Sequence, residues 1–126
     1  MTIDDPQVVA EVTTAFHAYE AALMADDVPA MDRLFHDHPS TIRYGVGEVL
    51  YGAEAIRAFR KGRGGSPQRR LGTVAIHAFG RDFATANAEF FREGDARRGR
   101  QSQSWVRFAD GWKVVAAHVS IEGTGS

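Results

Sequence analysis

Two side chains stand where their types and neighbours could do chemistry. Arg43 lies in Ser40-Thr-Ile-Arg-Tyr-Gly-Val-Gly-Glu-Val-Leu-Tyr51, between Ile42 and Tyr44. The stretch reads as a short strand, a glycine-bounded turn and a second strand. A charge inside an apolar alternation needs an explanation, because arginine is almost never fully buried unless paired. Its planar fork can hold a carboxylate through two parallel hydrogen bonds. The competing account is an ion pair within the protein, to Glu48 or Glu89. Tyr19 shares a helical stripe with Phe16 and Leu23. A phenol, with a reference pKa of about 10, is protonated at neutral pH and suits the role of acid better than base. The competing account is a core tyrosine whose hydroxyl finds a backbone carbonyl.

Weaker candidates lie near the C-terminus. His118 sits in the nearly apolar run Val114-Val-Ala-Ala-His-Val-Ser120. An imidazole can exchange protons at neutral pH, or it can be a core histidine bonded to Ser120 or Ser104. In Gln101-Ser-Gln-Ser-Trp-Val-Arg107, Ser102 and Ser104 share one strand face and Gln101 and Gln103 the other. One face is expected to meet a pocket and the other a subunit, and the spacing does not choose between them. Ser104 and His118 are carried forward as candidate pocket residues. Glu89 is the strand-centre carboxylate that could serve as base in an isomerase, although its parity opposite Ala88 speaks against it.

Other chemistries find little support. His36-Asp37-His38 is adjacency without metal-ligand spacing, so no metal is expected. With no cysteine there is no thiolate nucleophile and no disulfide. No Gly-x-Ser-x-Gly is present, so acyl-enzyme chemistry lacks its usual turn. The basic residues Arg57, Arg60, Lys61, Arg63, Arg69 and Arg70 lack interleaved aromatics and match no phosphate loop. They are expected to be solvated.

The elements that must position these groups can be read in order. Asp5-Pro6 opens a helix, since Asp caps well and Pro fits the first turn. The stripe Val8, Val12, Phe16, Tyr19, Leu23 carries it to about Met24. A shorter helix fits Pro29 to Phe35, and a third fits Ala53 to Lys61. Residues 62–70 read as a flexible connector. The period then changes from 3.6 to 2. Leu71 to Phe79, Phe83 to Arg92, Arg100 to Phe108 and Trp112 to Ile121 read as four long strands, with Asp110-Gly111 a strong hairpin signal. Thr124 onward reads as a tail. Helices first and a strand meander after give an α+β fold: one cone-shaped, curved antiparallel sheet wrapped by three N-terminal helices. A pocket is expected on its concave face. The open face is expected to pair with a second copy, because exposed long strands otherwise invite aggregation.

Composition sets the outer bounds. The chain has 126 residues, 44% hydrophobic and 25% charged, which suits a single domain over residues 1–126. A formal charge of -1 gives no pull toward nucleic acid or membrane. The acidic N-terminus resembles no signal peptide and no apolar run is long enough to span a bilayer, so a soluble cytoplasmic protein is expected.

The same blocks carry a resemblance. Asp5-Pro-Gln-Val-Val-Ala-Glu-Val12 with Phe16-His-Ala-Tyr19-Glu-Ala-Ala-Leu23, Thr41-Ile-Arg43-Tyr-Gly-Val-Gly-Glu48, Phe79-Gly-Arg-Asp-Phe-Ala-Thr-Ala86, Gly99-Arg-Gln-Ser-Gln-Ser-Trp-Val-Arg107 and Gly111-Trp-Lys-Val-Val-Ala-Ala-His-Val-Ser120 resemble the AtzH-like family. That family belongs to the nuclear-transport-factor-2-like superfamily, with the SnoaL and ketosteroid isomerase relatives. The resemblance implies a metal-independent, cofactor-free decarboxylating amidohydrolase. Its substrate class would be urea-derived carboxylates such as 1,3-dicarboxyurea, converted to allophanate in cyanuric acid breakdown. A sister group, HpxZ, is tied to oxalurate breakdown, where an accessory binding role is the alternative. Carried over by motif, the family's catalytic tyrosine and arginine fall on Tyr19 and Arg43. The carry-over to His118 and Ser104 is weaker.

Overall fold

Asp5 starts the fold as its residue type demands. Its carboxylate accepts from the backbone N–H groups of Gln7 at 3.0 Å and Val8 at 3.5 Å, capping α1 (Pro6–Ala25). Asp27 caps α2 (Val28–Arg33) by accepting from Ala30 N–H at 3.2 Å. After the short strands β1 (Ile42–Tyr44) and β2 (Val49–Tyr51), α3 runs from Ala53 to Arg63. Four long strands follow: β3 (Arg69–Phe79), β4 (Phe83–Arg92), β5 (Gly99–Phe108) and β6 (Gly111–Ile121). Gly80 (φ 70°) and Gly111 (φ 118°) take the left-handed conformations that let two of their hairpins turn. The computed structural model describes residues 1–123, and the tail expected from Thr124 lies outside the described residues.

The six strands form one sheet in the order β2-β1-β6-β5-β4-β3. The long strands make an antiparallel meander, but β1 lies parallel to β6, so the sheet is mixed where it was expected to be wholly antiparallel. β1 lies between α2 and α3 in the chain and adds to the edge of the meander formed by its last strand, β6.

The α1 stripe packs on the concave face of the sheet. Val12, Phe16 and Tyr19 meet the small residues Ala84, Ala86 and Ala88 of β4, with Trp105 and Val114 beside them. Burying each large apolar side chain here contributes roughly 1.5–3 kcal/mol. Trp105 is fully buried, and its indole N–H donates to Gln103 Oε1 at 3.0 Å. No helix among the described residues is long and apolar enough to cross a membrane.

One irregularity decides which side chains reach the concave face. Opposite β5, the register slips between Ser104↔Ala116 and Trp105↔Val114, leaving Val115 as an extra residue in β6. Such a bulge reverses strand parity. Trp112 and Val114 point inward before it, Ala117 and Val119 after it.

Candidate active site

Beyond the core, the concave face opens into a cavity of about 120 Å³. This is well below the roughly 300 Å³ typical of drug-sized ligand pockets, and fits a small metabolite. α1 brings Tyr19 to it and β1 brings Arg43. Sequence reasoning singled out both residues, and the fold places them on one wall-enclosed space.

Arg43 is ion-paired within the protein and also lines the cavity. It is buried, and its Nη1 donates to Glu48 Oε1 at 2.5 Å. Among the described residues its other guanidinium nitrogens hold no hydrogen bond, and the group lines the cavity. Glu48 can reach back because Gly45 leaves space: a Cβ there would fall 1.7 Å from Glu48 Oε1.

Tyr19 is oriented by Arg60, which is 2% exposed. Arg60 Nη2 donates to the phenolic oxygen at 3.3 Å, and Nη1 pairs with Asp32 at 2.8 Å. The guanidinium lies 4.3 Å from the Phe35 ring centroid. Asp32 answers the arginine's charge, and the arginine satisfies the oxygen of Tyr19. The phenolic oxygen thus acts as an acceptor, and the hydroxyl makes no other hydrogen bond among the described residues.

The expectation of a solvated basic stretch over residues 57–70 holds for the exposed Lys61 and Arg70 and fails for Arg60, Arg63 and Arg69. α3 continues to Arg63 and β3 begins at Arg69, so the connector is only residues 64–68. Arg60 is buried, and Arg63 and Arg69 line the cavity. Arg69 is held by Glu20 at 2.9 and 2.6 Å, and donates to Gln101 Oε1 at 3.0 Å. Arg63 has no acidic partner among the described residues, and its Nε is buried without a hydrogen bond. Burial first, and the nearby Arg43 second, lower its pKa. A signal for these residues was present. Ile56, Phe59, Arg60 and Arg63 sit at i, i+3, i+4 and i+7, so the two arginines continue the apolar face of α3. Arginine pairs across 28 residues, such as Arg60 with Asp32, leave no local mark.

Strand faces are now fixed. Gln101 and Gln103 face the cavity and are buried. Ser104 and His118 do not join Tyr19 and Arg43, contrary to expectation. They lie on the opposite face of the sheet, in a shallow hollow of about 330 Å³ shared with Tyr44, Asn87 and Ser102. Ser104 faces out by the ordinary alternation of β5, in which Gln101, Gln103 and Trp105 are buried. For His118 the bulge at Val115 is the reason: continuing the alternation of Trp112 and Val114 would turn it inward, and the extra residue turns it out. Glu89 also points away from the cavity, 3.9 Å from Arg98, and cannot act as its base. Tyr44 and Tyr51 belong to the outer face as well, their hydroxyls 3.1 Å apart, with that bond raising the pKa of Tyr44. His36 stacks between His38 and Phe108, and Asp37 pairs with Arg57 at 2.7 Å.

The chain is similar to several solved structures. A protein of unknown function from Pectobacterium atrosepticum shares 46% identity over 96% of this chain and 95% of that one, with a TM-score of 0.93. A cystatin-like fold protein from Burkholderia xenovorans shares 45% identity over 99% of both chains, with a TM-score of 0.95. A nuclear-transport-factor-2-like superfamily protein from Salmonella enterica shares 25% identity over 95% of both chains, with a TM-score of 0.77. No curated protein matches the sequence. The AtzH-like family model matches residues 1–125. The chain thus belongs to the AtzH-like family, on the nuclear-transport-factor-2-like fold.

Proposed function

We propose that the protein is a decarboxylating amidohydrolase acting on a small urea-derived carboxylate, 1,3-dicarboxyurea being the family-implied substrate. The observation that carries this reading is the meeting of Tyr19 and Arg43 at one small cavity rich in cationic donors. Arg43 clamps one N-carboxylate with the nitrogens that Glu48 leaves free. The C–N bond to the other carboxylate breaks, its electron pair stays on nitrogen, and Tyr19 delivers a proton there. The dianion and one proton give the allophanate monoanion and carbon dioxide; where water then adds to the carbon dioxide, bicarbonate forms and a proton is released. Solvent then reprotonates the phenolate, whose charge Arg60 balances meanwhile. No step calls on a metal or an organic cofactor.

Turnover of 1,3-dicarboxyurea, followed by product identity, tests the reading. Arg43→Lys is expected to lose most activity, since an ammonium cannot reproduce the planar fork. Tyr19→Phe is expected to lower kcat by about 10²–10⁴-fold, the usual span for general acid catalysis, with little change in carboxylate binding. Wild-type rates in either variant would remove that residue from the mechanism. A wild-type protein that binds the carboxylate and forms no product over hours would leave an accessory binding protein instead. We also propose that the outer sheet face pairs two copies of the chain. Val49 and Tyr51, each 62% exposed, and the hollow around Ser104 and His118 support it.

A further inference from the structure

The arginines around the cavity are unequally answered. Arg43 has Glu48, and Arg69 has Glu20 behind it. Arg63 and Arg92 also line the cavity, and neither has a carboxylate within ion-pair distance among the described residues. Both rest on aromatic rings: Arg63 lies 5.2 Å from the centroid of Phe59, and Arg92 lies 5.9 Å from that of Phe90. A ring face can hold a cation without a counter-ion. Arg43 lies 5.4 Å from the same Phe59 centroid, so two guanidiniums crowd one ring. Burial first, and Arg43 second, lower the pKa of Arg63.

A neutral donor is also left open. Gln101 is 4% exposed, and Arg69 occupies its oxygen. Its Nε2 is buried with no partner among the described residues. A buried donor is costly to leave without an acceptor, so the site lacks one. Gln103, two residues on, pairs in register with Ala117, as Arg43 does from the other side. Gln101 therefore sits about 7 Å further along the sheet than the Arg43 row.

We infer that Arg92 and the Gln101 amide are the specificity-determining residues that select a small dianion over a monoanion, receiving a second carboxylate while Arg43, with Arg63 beside it on the Phe59 ring, holds the first. This rests on the reading of Arg43 as a carboxylate seat. Arg92 belongs with Gln101 because it pairs in register with Arg69, which bonds the Gln101 oxygen. A urea bearing two N-carboxylates satisfies both ends of the cavity, whereas a single carboxylate leaves Gln101 and Arg92 as they are.

Glutarate and butyrate are suitable probes, because they differ only in the second carboxylate and glutarate keeps a three-atom spacer. Calorimetric titration of the wild-type protein is expected to show glutarate bound about tenfold or more tightly than butyrate, the scale of one hydrogen bond to a charged group. Arg92→Gln is expected to remove most of that preference, with butyrate affinity changed less than about threefold. Gln101→Met keeps volume and charge, and is expected to weaken glutarate alone. It thereby separates contact from general electrostatic attraction. Equal wild-type affinities for the two acids would overturn the inference, as would substitutions that weaken both acids alike. Near-ultraviolet circular dichroism checks that each variant is folded. If 1,3-dicarboxyurea is not turned over but the preference holds, the proposed activity fails and the dianion site stands. If turnover occurs without the preference, the reverse follows.

Discussion

Gly45 has no room for a side chain, and the reason is chemical rather than conformational. A Cβ there would occupy the place of the Glu48 carboxylate and lie 2.9 Å from Arg43 Nη1. Gly45→Ala should therefore push Glu48 off Arg43. Loss of this partly exposed pair is expected to cost about 1 kcal/mol in the wild-type background and close to nothing when Glu48 is already Ala. Urea denaturation of the four proteins of that cycle measures the coupling. A purely additive cycle would show that Gly45 serves something other than the pair. At this scale the sequence was legible where a residue type conflicted with its surroundings. Arg43 was a charge in an apolar run, and Tyr19 a phenol on an inward stripe. Gln101 gave no such conflict, since a glutamine in a strand reads equally well on either face. Its meaning comes from Arg69, 32 residues away, which takes its oxygen and leaves its nitrogen open.

Elements were legible where local chemistry sets their ends. Asp5-Pro6 marked the start of α1, and Asp110-Gly111 marked the last hairpin. They were not legible where partners distant in sequence decide. Residues 57–63 carry many arginines, which usually means water, yet α3 presents Arg60 to Asp32 and Arg63 to the cavity. The slip in β6 was invisible for another reason: Val114-Val-Ala-Ala is apolar in both registers, so alternation cannot reveal the extra residue. The β4–β5 pairing yields a prediction of its own. Phe90 lies opposite Gly99, and a Cβ on Gly99 would come within 2.2 Å of the Phe90 ring. That ring is 1% exposed and carries Arg69, its guanidinium 4.3 Å from the centroid. Gly99→Ala is expected to destabilise the protein by about 1–3 kcal/mol through overpacking. A wild-type denaturation midpoint would show that the ring moves aside without cost.

The whole molecule is a sheet with two unlike faces, one carrying the helices and the cavity and one open, which we propose to pair two copies. If the open face pairs, light scattering at micromolar concentration should give twice the chain mass. Ser104→Arg, half-buried on that face and away from the cavity, should halve the mass without altering butyrate affinity. A monomeric wild-type protein would count against the pairing. The boundary between these faces runs through Val115. Upstream of it, β6 turns Trp112 and Val114 toward the helices. Downstream, it turns Ala117 and Val119 toward the cavity and His118 toward the outside. The extra residue in this strand is thus a chemical variable. Pulled straight with every residue kept, the strand would exchange the methyl group of Ala117 for the imidazole of His118 among the guanidiniums, whereas deleting Val115 would remove the bulge and leave Ala117 at the cavity wall.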